Sequence, residues 1–173
     1  FRSLSNLSGV YQLMGYLMYG CGLRMKELLN LRVKDVDFGF DKIYVWDSKS
    51  LKDRTVPLPQ KLKQRLEVQV QVVEEQHQQD TDGGFGSVYL PHALERKFPN
   101  AHKETKWHNL FPMKKISADP RTGIRRRHHI LEKTFGRNIK QAAEKARDPG
   151  AQAAVTFGRG WAGPLGHVGT LRD

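Results

Sequence analysis

The sequence predicts an α+β domain, mainly α-helical, with a small antiparallel β-hairpin. Three observations predict it. Apolar residues recur at helical spacing in three stretches, near residues 10–18, 60–76 and 128–146. Two short runs rich in β-branched residues, Ile43–Trp46 and Thr55–Leu58, flank a polar loop. A chain of 173 residues is long enough for one domain with a core of its own.

The elements follow in order. Val10, Leu13, Met14, Leu17 and Met18 share one face of a first helix, which Gly20-Cys21-Gly22 breaks. A second, short helix starts near Leu23 with Leu28 and Leu29 inward, and ends around Asn30, a residue that tolerates the left-handed conformation. The hairpin comes next, with a basic tip, and Pro57 marks an edge strand because it cannot donate to a ladder. A third helix spans about Gln60 to Gln76 on Leu62, Leu66, Val70 and Val73. Residues 80–127 read as irregular. The last helix, about His128 to Ala146, carries the stripe Leu131, Phe135, Ile139, Ala142, Ala143 and Ala146. From residue 147 six glycines fall within 27 residues and no apolar period survives.

Composition narrows the partners. The net charge is +11, and the segment Arg96 to His129 holds ten Lys or Arg against two acids, so +8 of it sits there. Charge concentrated this way forms a patch suited to a polyanion, with nucleic acid the first expectation. Arg121, Arg125, Arg126, Arg127 and His128 are the candidate DNA contacts, and Trp107 and Phe111 interleave them. Those aromatics either stack exposed bases or anchor the segment as core residues. No apolar run reaches the length of a membrane helix, and no secretory leader opens the chain. A single cysteine, Cys21, excludes an internal disulfide and fits a cytoplasmic protein. His102, His108, His128 and His129 match no metal-ligand spacing, so no metal is expected. The chain opens on Phe1, which reads as part of something longer.

Two motifs point to a chemistry. Tyr19-Gly-Cys-Gly-Leu-Arg24, then Glu27, then Leu31-Arg-Val-Lys-Asp35-Val-Asp37, resembles the first motif of the tyrosine recombinases. Ser48-Lys49-Ser50-Leu51-Lys52-Asp53-Arg54-Thr55-Val56-Pro57-Leu58 resembles their hairpin motif, with Ser48 and Ser50 in place of two glycines. The resemblance implies that Arg24 grips the scissile phosphate, that Glu27 orients it, and that Lys49 protonates the leaving 5′ oxygen. A guanidinium suits the first role, since it is always charged and can give a phosphate two parallel hydrogen bonds. A third match, Tyr89 to Ala101, Trp107 to Pro112 and Ser117 to His129, resembles the insertion of integron integrases, with Thr105 where relatives carry a second tryptophan. Residues 1–146 are therefore expected to be a partial catalytic domain with the insertion at about 86–127, and residues 147–173 a divergent tail, read as the product of a frameshift or damaged gene end.

The resemblance implies DNA cleavage and rejoining through a phosphotyrosine, without metal or nucleotide, by tetramers on DNA that recognise folded single strands. This chain departs from the pattern. None of its seven His has Arg three positions later, and its five Tyr all lie in the first 90 residues. Leu165-Gly166-His167 sits too close to Ala146 to be the family's later His motif. The fragment is accordingly expected to be inactive by itself. The rival reading is a DNA-binding remnant without catalysis, and a basic RNA-binding protein explains the charge but neither motif.

Overall fold

The computed structural model describes residues 4–46, 53–90, 96–120 and 122–146. Lys49, Arg121, the hairpin tip and the tail expected at 147–173 lie outside the described residues.

Helix α1 (Gly9–Gly20) buries Leu13, Met14 and Leu17. Gly15 is needed on its inner face, because a Cβ there would stand 2.9 Å from a Leu4 methyl. The helix stops where expected: Cys21 N–H closes on the Leu17 carbonyl, and Gly22 takes φ +60°. Helix α2 (Met25–Asn30) buries Leu28 and Leu29. Asn30 does not end it by turning left-handed, as the sequence suggested; Leu31 turns extended at φ −55°, ψ 135° and is itself buried.

The sheet has three strands rather than two. β1 (Val36–Asp37), β2 (Lys42–Val45) and β3 (Arg54–Pro57) run antiparallel in that order, with Ile43 opposite Val56 and Val45 opposite Arg54. Ile43 and Val45 point into the core while Trp46 is exposed, the alternation a one-sided sheet requires. Pro57 lies on the edge strand.

Helix α3 (Gln60–Asp82) outruns its apolar stripe and reaches Asp82 rather than Gln76. Its extra turns carry Asp80, which is buried against the insertion, so tertiary contact extends the helix beyond what periodicity shows. Short 3₁₀ turns (Ala101–Lys103 and Thr105–Trp107) follow, then the small hairpin of β4 (Ser117–Ala118) and β5 (Arg125–Arg126). Helix α4 (Glu132–Ala146) starts four residues later than the sequence suggests. Residues 128–130 instead run extended beside 111–113, with Ile130 N–H bonded to the Phe111 carbonyl at 2.9 Å and Met113 N–H to His128 at 2.7 Å. Leu131 consequently stays exposed, whereas Phe135, Ile139, Ala142 and Ala143 are buried.

One core joins α1, α2, the sheet, α3 and α4 around Met14, Leu28, Ile43, Leu66, Phe111 and Phe135. A smaller cluster of Val88, Leu90, Ala101 and Trp107 holds the insertion. Cys21 is buried at the join of α1 and β3, its thiol donating to the Pro57 carbonyl at 3.7 Å, and burial pushes its pKa up to about 11. Among the described residues no helix is long and apolar enough to cross a membrane.

Candidate nucleic-acid interface

Arg24 stands at the N-cap of α2, in extended backbone just before the first helical residue. Glu27, at the third helical position, accepts the Arg24 backbone N–H at 2.7 Å, as an acid at that position commonly does. The same carboxylate also holds the Arg24 guanidinium at 3.2 Å. Its principal partner, however, is Arg54 at the start of β3, which donates two parallel bonds of 2.8 Å. The Glu27 side chain is 6% exposed, Arg54 36% and Arg24 60%. Burial of the Glu27 carboxyl opposes its ionisation, but the bonds and charges of the two arginines outweigh that and hold its pKa below the ordinary carboxylate value. The result is one buried anion shared by two cations, the more exposed of which is Arg24.

A second knot ties the sheet to the insertion. Asp35, buried, accepts from Arg32 N–H at 2.8 Å, from the Trp46 indole at 2.8 Å and from Lys34 at 2.6 Å. The Lys34 ammonium lies 4.8 Å from the Trp46 ring centre and 4.9 Å from that of Trp107. Arg32 donates to the backbone carbonyls of Trp107 and, at 3.2 Å, Tyr89.

The basic segment divides by burial. Arg127 is 7% exposed and pairs with Asp80 through bonds of 2.6 and 2.7 Å, while its remaining nitrogen donates to the Met113 and Lys114 carbonyls. Arg126 is equally buried, 3.7 Å from Asp119 and bonded to Thr122 at 3.1 Å. These two arginines, expected to face DNA, instead pin the insertion, because a guanidinium so enclosed must satisfy its charge inside the protein. Trp107 is likewise 9% exposed within the small core, and Phe111 is fully buried. His128 is half-buried in the extended segment. Arg96, Lys97, Lys103, Lys106, Lys114, Lys115 and Arg125 remain exposed. Among the described residues no group of three or more His, Cys, Asp or Glu could hold a metal ion.

Residues 4–155 match the Phage integrase family. The chain belongs to that family. It is 41% identical over 145 residues to an integrase/recombinase of Escherichia coli, covering 84% of this chain and 43% of that protein. An integrase/recombinase of Pseudomonas aeruginosa aligns with the same figures. The tyrosine recombinase XerA of Thermococcus onnurineus is 34% identical over 123 residues, 71% of this chain and 39% of that one. The chain thus spans less than half the length of these curated relatives.

Within this integrase-family domain, sequence reasoning passed over Arg54, Asp80 and the Arg32–Asp35 turn as site residues. A signal for Arg54 was present: strand alternation puts it on the face of Val56 and opposite the buried Val45, so an inward charge there demands a carboxylate. Asp80 gave none, since it lies beyond the apolar stripe of its helix.

Proposed function

We propose that this chain is the phosphate-gripping portion of an integron-type tyrosine recombinase. The intact enzyme would recombine gene cassettes by cutting and rejoining DNA through a phosphotyrosine, as a cytoplasmic tetramer on folded single-stranded sites. Arg24 is the phosphate contact, Glu27 its orienting partner, and Lys49 the general acid that protonates the leaving 5′ hydroxyl. The observation that carries the reading is the exposed Arg24 guanidinium held at a helix start by a buried carboxylate, within a family match covering most of the chain. Exposed charges of the insertion, Lys114, Lys115 and Arg125 among them, track the neighbouring phosphates, and Arg121 joins them. By themselves the 173 residues bind DNA and do not cut it, since no tyrosine follows Tyr89.

The test offers the chain a labelled duplex, a nicked duplex and a DNA hairpin with unpaired bases. Salt-sensitive binding to all three is expected, tighter on the hairpin, with no denaturant-resistant adduct on the nicked strand. Absence of binding at low salt overturns the DNA reading, equal affinity for duplex and hairpin overturns the integron type, and a covalent band overturns the non-cutting one.

A further inference from the structure

The Glu27 carboxylate carries one charge and meets two guanidinium groups, and it does not treat them alike. Arg54 approaches as a fork, with both bonds at 2.8 Å; Arg24 is tethered through its side chain by one bond of 3.2 Å. Charge-assisted bonds of the shorter, paired kind are the stronger ones. Arg54 is also the residue through which β3, and hence the base of the hairpin, reaches α2, with a further bond of 3.4 Å to the Gly22 carbonyl. Without Arg54, the buried anion would have Arg24 as its remaining guanidinium partner, and an uncompensated charge at 6% exposure is costly enough to draw that partner inward.

We propose that Arg54 is a positioning residue for Arg24: by satisfying most of the Glu27 charge, it leaves the Arg24 guanidinium turned outward to meet a phosphate. The inference rests on the reading of Arg24 as a phosphate contact. It assigns Arg54 no contact with DNA. It also links the hairpin to the arginine, because movement of β3 away from α2 would release Glu27 to pull Arg24 in.

The experiment measures affinity of the full chain for a labelled DNA duplex over a salt series, with a thermal melt of each variant. Arg24→Ala should weaken binding about tenfold and lower the salt slope by about one. Arg54→Ala should weaken it in the same direction, by roughly fivefold, and Arg54→Lys by less, since a charge returns without the fork. The deciding variant is Arg54→Ala with Glu27→Gln. A glutamine still accepts the backbone N–H of Arg24 but no longer holds its guanidinium by charge, so binding should return to that of Glu27→Gln alone. For the same reason the deficit of Arg54→Ala relative to the parent chain should shrink as falling pH protonates Glu27.

Three results are adverse, and they are distinguishable. No loss on Arg24→Ala overturns the phosphate reading, and this inference with it. Losses that add in Arg24→Ala/Arg54→Ala make Arg54 a separate phosphate contact and overturn the inference alone. Failure of Glu27→Gln to restore Arg54→Ala, with a lowered melting temperature in both, leaves Arg54 a structural pin and again overturns it.

Discussion

Among the described residues a buried carboxylate is gripped by an arginine fork at two places, and the two differ in what else the carboxylate reaches. Asp80 and Arg127 match one charge to one charge, and both side chains are sealed at 5% and 7% exposure. Glu27 faces two arginines, and the one held by the longer, single side-chain bond, Arg24, stays 60% exposed. A sealed pair holds structure, whereas a buried carboxylate that also reaches an exposed arginine keeps that guanidinium at the surface. Burial, and not residue type, separates a pin from a candidate site here.

The largest test of that contrast is Asp80→Ala, which strands the Arg127 guanidinium in the interior. A loss of about 3–5 kcal/mol is expected, a fall in melting temperature of roughly 10 °C or more. A loss below 1 kcal/mol would show Arg127 escaping to solvent and erase the difference between the two forks.

Next comes Trp107→Ala. A ring at the centre of the small cluster should cost about 3 kcal/mol on truncation and weaken duplex and hairpin DNA equally. Selective weakening of hairpins with unpaired bases would return Trp107 to the interface.

The pH dependence sharpens the same contrast more gently. His108, packed against His77 at 4.2 Å between ring centres, is pushed down from 6.5 to about 4 by burial, with His77 and Arg32 adding repulsion against the opposing Gly86 and Asp80. Between those two values the unfolded chain binds the proton and the folded chain does not. Stability should therefore fall as pH drops from 6.5 towards 4, a loss that thermal melts across this range would register and that His108→Gln should flatten. Glu27 adds a loss of the same sign at the acid end, as its lowered pKa is reached.

The smallest effect on stability belongs to Lys114→Ala/Lys115→Ala/Arg125→Ala. Exposed as they are, their removal should leave stability within about 0.5 kcal/mol, while the salt slope of DNA binding drops by up to about 3. An unchanged slope would break the assignment of this surface.

Much of the architecture was legible because periodicity reports it: α1, the β2–β3 pair and the buried stripe of α4 sit where apolar spacing puts them. The contact between Arg24 and Glu27, expected from the family resemblance, forms across one helical turn. What periodicity missed is non-local. Whether Arg126 and Arg127 face solvent or carboxylate depends on Asp119 and on Asp80, the latter 47 residues away, and three adjacent arginines look identical in sequence. The late start of α4 has the same origin, since residues 128–130 exchange helical bonds for partners in a different segment. Strand β1 is two residues long and too short to show an alternation.

Cys21 makes the molecule its own clock. The only thiol in the chain is sealed where the end of α1 meets β3, and its raised pKa keeps it from the reactive thiolate form. An electrophile reaches it only when helix and sheet part, so its modification rate reports how often that seam opens. A reagent directed at one sulfur therefore times the parting of α1 from β3, with no probe added to the protein.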